Sequence, residues 1–149
     1  MRAAATVRRA ALADIEALLQ LEALFPTDQM SRRSLRRFVA APNAVFLVAE
    51  VGGDVRGNLL LLTRRDSRRA RIYSVVVDPQ ARGLGLAQQL VEAAQLVASQ
   101  RGCAAISLEV RSDNSAARAL YVKLGYQVDS ELPGYYEDGG DGLRLLRFL

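Results

Sequence analysis

Two side chains and one turn hold most of the chemistry that this 149-residue chain could perform. Glu109 sits near the end of the apolar run AAISLEV (104–110). A carboxylate there is expected to be drawn partly out of water, which raises its pKa and suits it to accept a proton. Tyr121 lies in NSAARALYVKLG (114–125), a stretch with helical spacing. Its phenol, with a pKa of about 10, could return a proton to a leaving group. It also shares a stripe with Ala117 and Leu124, as a packed core aromatic would. The turn lies in VVVDPQARGLGLAQQL (75–90), which reads as strand, turn, glycine pair and amphipathic helix. Small residues at Gly83 and Gly85 let an anion approach the backbone, and the free N–H groups and dipole of a helix N-terminus favour negative charge.

The turn excludes two common nucleotide sites. No Lys-Ser or Lys-Thr follows the glycines, so it is not a nucleoside-triphosphate loop, and Gln88 stands where the dinucleotide fingerprint needs its third glycine. Histidine is absent, which removes histidine bases and histidine-ligated metals. No metal site is expected. Cys103 is the one cysteine, so no internal disulfide can form, and it reads as a structural thiol in a reducing compartment.

The formal charge is +4 and the pI about 9.7. Arginines cluster at Arg8-Arg9, at Arg32-Arg33 with Arg36-Arg37, and at Arg64-Arg65 with Arg68-Arg69. Such a surface suits an anionic partner, or is simply solvated. Nucleic acid is disfavoured, because no aromatic platform for stacking bases is interleaved with the arginines. No apolar run reaches the roughly 20 residues that span a bilayer, and Asp14 and Glu16 interrupt the early helix. The expectation is a soluble, cytoplasmic protein with no membrane partner, monomeric or homodimeric.

The elements that must position these groups follow from periodicity. TVRRA is a first strand, LADIEALLQLEALF a helix closed by Pro26, and RRSLRRFVA a basic helix capped by Ser31. AVFLVAE, RGNLLLLTRR and ARIYSVVV form a meander, with VGGDV and DSRR as turns. The helix after Gly83 stops at Gly102, AAISLEV is a buried strand, NSAARALYVKLG is a helix, and YQVDSEL and LRLLRFL close the chain. The strand–helix–strand unit from Ile72 to Val110 requires a right-handed crossover and one parallel pair. One α/β domain over residues 1–149 is expected, with a mixed, mostly antiparallel sheet and helices on both faces.

The run VVVDPQARGLGLAQQLVEAA resembles the acyl-CoA-binding segment of the GNAT superfamily of N-acetyltransferases, with Arg82-Gly-Leu-Gly-Leu-Ala87 in the family's register. The resemblance continues through LEVRSDNSAARALYVKLGY and GYYEDGGDGLRLL. Within the superfamily it is nearest ribosomal-protein N-terminal alanine acetyltransferases and other N-α-acetyltransferases. It implies a GNAT fold whose parallel pair splays beyond Val77 and Val110, with acetyl-CoA as cosubstrate. Backbone amides over Arg82, Gly83, Leu84, Gly85, Leu86, Ala87 and Gln88 would hold the diphosphate, and Val75, Val76 and Val77 would meet the pantetheine arm as an added strand. A backbone N–H near Val77 would polarise the thioester. Asn114, read here as a helix cap, would also contact the cofactor. Glu109 would be the base, with Glu22 a substitute, and Tyr121 the acid. Phe25 and Pro26 on one wall, with Tyr135 and Tyr136 on the other, would bind the acceptor.

Acetyl transfer to an amine needs the amine neutral. An α-amine is neutral in roughly a tenth of molecules at pH 7, a lysine in about one in a few thousand. The smaller demand suits a chain without histidine, so a protein N-terminal amine attacked directly in a ternary complex is the expected acceptor. A small-molecule amine, a protein lysine, and a non-catalytic acyl-CoA-sensing module are the alternatives.

Overall fold

The computed structural model describes residues 5–25 and 29–149. In chain order the elements are β1 (Ala5–Arg9), α1 (Ile15–Ala23), α2 (Arg32–Ala40), β2 (Ala44–Val51), β3 (Asp54–Leu62), β4 (Arg69–Val77), α3 (Leu86–Gln100), β5 (Ala105–Arg111), α4 (Ser115–Lys123), β6 (Gln127–Leu132) and β7 (Gly142–Phe148), with short 3-10 turns at Leu12–Asp14 and Pro79–Ala81. Helix α1 ends at Ala23; Pro26, expected to terminate it, lies outside the described residues.

The seven strands form one sheet in the order β1-β2-β3-β4-β5-β7-β6. Among the described residues only β4 and β5 run parallel, so the expected mixed, mostly antiparallel sheet is what forms. The period-2 alternation of β2 explains its layering. Val45, Leu47 and Ala49 face a core shared with Leu90, Val91 and Ala94 of α3 and Tyr121 of α4. Ala44, Phe46 and Val48 face a second core with Ile15 and Leu18 of α1 and Leu35 of α2. Burial on both faces is why this strand reads as a continuous apolar run.

Local chemistry sets most element ends. The Gly52–Gly53 turn has φ of 60° and 83° at its two residues, as a two-residue hairpin turn between β2 and β3 requires. Ser31 Oγ accepts the Ser34 N–H at 3.1 Å and starts α2; Asn114 Oδ1 accepts the Ala117 N–H at 3.1 Å and starts α4. The strand expected to continue through Arg65 stops at Leu62, because the Ser67 N–H closes a turn on the Arg64 carbonyl at 3.3 Å.

The joint between β4 and β5 matters most for function. Pairing is confined to Arg69–Arg71 against Ala105–Ser107, and the two strands part beyond that point. On its other edge β4 stays paired with β3 through Val77, but with a bulge: Leu60 faces Ser74 and Leu61 faces Ile72, leaving Tyr73 unmatched. A bulge bends its strand and increases its twist. It sits where β4 leaves β5, and so gives the divergence a local cause.

Candidate active site

The glycine turn is built from both sides. Asp78 is buried, and its carboxylate accepts the Gln80 N–H at 2.9 Å and an Arg56 N–H at 3.1 Å. These bonds hold the 3-10 turn that delivers Arg82 to the loop in an extended conformation. Gly85 then adopts φ 72°, ψ 24°, a left-handed conformation costly to residues with a Cβ, and is followed by α3. The first intrahelical bond there is Gln89 N–H to Gly85 O at 3.1 Å. The amides of Leu84, Gly85, Leu86, Ala87 and Gln88 therefore have no acceptor among the described residues. A Cβ built at Gly83 or Gly85 would meet no protein atom within 4 Å, so the space above these donors is open.

Beside this turn, the edge of β4 beyond Arg71 that faces β5 has no strand partner. Unpaired main-chain groups along a widening cleft, ending at a row of free N–H donors, fit an extended amide-bearing chain with a diphosphate at one end. Val75, Val76 and Val77 line the β4 side of the cleft, and all three are half-buried. Asn114 is exposed, with its Oδ1 occupied by the cap. Lys123 of α4 donates to Gln88 Oε1 at 3.1 Å, tying α4 to the start of α3.

Glu109 and Tyr121 lie on opposite faces of the sheet. Tyr121 belongs to the core on the α3 side, 7% exposed, edge-on to Tyr126 with ring centroids 5.4 Å apart. Burial pushes its phenol up to about 12. Its hydroxyl has no hydrogen-bond partner among the described residues, whereas that of Tyr126 donates to Gln95 Oε1 at 3.1 Å. Glu109 alternates with the core residues Leu108 and Val110 and so points to the other face. Its side chain is 9% exposed, shielded as the apolar strand predicts. Two partners flank it: Arg71 Nε at 3.1 Å from Oε2, and Arg144 at 3.4 Å from Oε1.

Glu109 lies in an open depression of about 330 Å³ with Tyr135 on its wall and Arg64, Arg69, Arg71 and Arg144 around it. The β6–β7 loop that carries Tyr135 is held firmly. Arg111 pairs with Asp138 at 3.0 Å and stacks its guanidinium 4.3 Å from the Tyr136 ring. Tyr135 and Tyr136 meet edge to face at 5.1 Å, seated over Gly142, where a Cβ would come within 3.2 Å of the Tyr136 ring. Phe25 is half-buried and lines neither this depression nor the slightly larger one, of about 360 Å³, between α1 and the β2–β3 hairpin. Pro26 lies outside the described residues. Glu22 is buried on α1, with Oε2 accepting the Met30 N–H at 3.1 Å and Oε1 unpartnered among the described residues; burial raises its pKa. No group of metal-binding side chains occurs among the described residues.

Sequence reasoning missed the arginines around Glu109, and the roles of Asp78 and Arg111. The available signal was strand alternation: Arg69 and Arg71 lie two apart in ARIYS and its preceding residue, and so share one face with Ser107 and Glu109 of β5.

The cleft, the donor row and the shielded carboxylate fit an acyl-CoA-dependent transferase. The model of the acetyltransferase (GNAT) family matches residues 12–126, and the chain belongs to that family. It is an acetyl-CoA-dependent acetyltransferase, which sets aside the non-catalytic module. An uncharacterized N-acetyltransferase of Methanocaldococcus jannaschii is 32% identical over 143 residues, covering 95% of this chain and 90% of that protein. A Bacillus subtilis protein named for alanine N-acetylation of ribosomal protein bS18 is 30% identical over 142 residues, covering 95% and 93%. The crystal structure of the ribosomal-protein-S18-alanine N-acetyltransferase of Escherichia coli superposes with a TM-score of 0.86 at 23% identity, covering 97% of this chain and 94% of that one. No helix among the described residues is long and apolar enough to cross a membrane.

Proposed function

We propose that residues 1–149 form one catalytic domain that acetylates the α-amine at a protein N-terminus. The observation that carries this reading is the depression beside the β4–β5 cleft, which sets Glu109 against the aromatic β6–β7 loop. A chain end can enter such an open-sided depression with its amine toward Glu109 and its first residues against Tyr135 and Tyr136. The name of the Bacillus subtilis relative supports the same acceptor class.

In this reading Val75 and Val77 bond the pantetheine arm with Val76 between them, and the amides from Leu84 to Gln88 hold the diphosphate, with Arg82, Gly83 and Asn114 beside it. Bound acetyl-CoA supplies the activated acetyl group. Glu109 orients the amine through a hydrogen bond and receives its proton, directly or through water. The amide near Val77 stabilises charge on the reacting carbonyl oxygen. Tyr121, kept neutral by burial, donates its O–H toward the departing sulfur from the other side of the sheet. Because an α-amine is already about a tenth neutral at pH 7, a modest proton acceptor is sufficient.

The test is a mass-spectrometric screen with acetyl-CoA in which N-terminal peptides, lysine peptides and small amines compete. Acetylation at the α-amine of the peptides supports the reading. Acetylation confined to lysine side chains or to small amines overturns it.

A further inference from the structure

The depression around Glu109 carries an unbalanced charge, and that imbalance says which acceptors it takes. Four arginines, Arg64, Arg69, Arg71 and Arg144, surround one carboxylate, Glu109. Arg71 and Arg144 are both spent on that carboxylate. Arg64 is paired with Asp66 at 2.9 Å, and both of these side chains are largely exposed. Arg69 makes no ion pair among the described residues. The lining of the depression is therefore net positive, with guanidinium groups of the kind that grip carboxylates in two-point contacts.

The positive surface extends beyond the depression. The Arg71 guanidinium lies 5.6 Å from the ring of Tyr73, the residue extruded by the β4 bulge. Tyr73 in turn contacts Phe38 of α2 at 6.2 Å, and Arg37 lies 4.9 Å over the Phe38 ring. Helix α2 thus borders the site through contiguous side chains. Of its arginines, Arg32 is paired with Glu16, whose charge Arg36 also feels, whereas Arg33 and Arg37 make no ion pair among the described residues. A chain leaving the depression over Tyr73 would run along a cationic helix face.

We infer that the acceptor carries anionic groups next to its reactive amine, and specifically that this enzyme prefers protein N-termini with aspartate or glutamate at the second and third positions. The inference rests on the N-terminal reading above for its peptide form; the charge requirement itself stands on the arginines alone. Lysine or arginine at those positions would meet like charge, which exposed guanidiniums penalise at low salt and less at high salt.

The test compares peptides that share an N-terminal alanine and differ only in acidic, neutral or basic residues at positions two and three. Two readouts are needed: kcat/KM with acetyl-CoA, and the affinity of the same peptides already acetylated, measured by fluorescence anisotropy on the CoA-loaded enzyme. The acidic peptide should exceed the basic one by about tenfold or more in both, and the ratio should shrink as salt rises from 0.05 to about 0.5 M, where the Debye length falls severalfold. Arg69→Glu, which leaves the Glu109 pairs in place, should reduce or invert the ratio; Arg69→Lys should largely restore it. Equal affinities for acidic and basic acetylated peptides, or a ratio unmoved by Arg69→Glu, overturn the inference whether or not any peptide is acetylated. If no peptide is turned over but an acidic small amine such as glutamate is, in an Arg69-dependent way, the N-terminal reading fails and the charge requirement survives.

Discussion

Glu109 of β5 and Arg144 of β7 stand directly opposite one another in the sheet, with Arg144 Nε and one terminal nitrogen each 3.4 Å from Glu109 Oε1. Arg71 closes on the other carboxylate oxygen at 3.1 Å. The side chain proposed to meet the acceptor amine is thus fixed from two strands. A carboxylate held this way orients a donor well, and its geometry depends on both arginines.

Glu109→Gln keeps the size and one accepting oxygen but cannot take a proton. Turnover at pH 7 should fall by about 10²-fold or more, the usual contribution of a positioned base, while acetyl-CoA affinity is retained. Steady-state kinetics beside calorimetric binding of CoA checks this; unchanged kcat removes Glu109 from the proton path.

Tyr121→Phe should lower kcat by about 10²–10⁴-fold if the phenol donates to sulfur. Since burial holds the phenol at about 12, its ionisation contributes no fall in rate between pH 7 and 10, and the ratio of the two enzymes should stay constant there. The unfolded phenol ionises near 10. The folded value is raised, so this group's contribution to stability is intact below pH 10 and is lost as pH climbs toward 12. A matching loss of CoA affinity in Tyr121→Phe would assign the ring to packing instead.

Gly85→Leu separates ligand contact from folding. The new Cβ meets no protein atom within 4 Å, but the residue must adopt φ near 72° at a cost of about 1–2 kcal/mol. The protein should remain folded by circular dichroism, while affinity for acetyl-CoA falls by about tenfold or more, about 1.4 kcal/mol. Normal affinity in this variant would relocate the diphosphate.

Glu22→Gln should stabilise the protein. Burial raises the Glu22 pKa, and one oxygen has no partner among the described residues. The folded state therefore holds this proton more tightly than the unfolded chain, whose glutamate titrates near 4.3. Stability is undiminished below that value and lost as pH rises through the raised folded pKa. Glutamine removes the loss. At pH 7 a gain of about 1 kcal/mol, the low end for an unmet buried group, corresponds to roughly 2–4 °C in Tm. The difference should vanish near pH 4, and calorimetry at the two pH values measures it.

What could be read in advance was local. The cap at Ser31, the cap at Asn114, the Gly52–Gly53 turn and the start of a helix just after Gly85 each depend on a few consecutive residues, and all formed where expected. The charge network of Glu109 depends on which strands become neighbours. Arg144 reaches it only because β7 inserts between β5 and β6, a strand order that periodicity does not specify. The Tyr73 bulge is similar: ARIYSVVV alternates well as a plain strand, and only the register against β3 forces one residue out.

The three-rung union of β4 with β5 leaves the sheet as two leaves on a short seam. A guest lying along the open edge would supply the missing rungs and weld the leaves together. The amide hydrogens of Val75 and Val77, which face the open edge, should then exchange far more slowly in its presence. Saturation at a hundred times the dissociation constant would add about 2.7 kcal/mol against unfolding, so the protein should be most robust while it is at work.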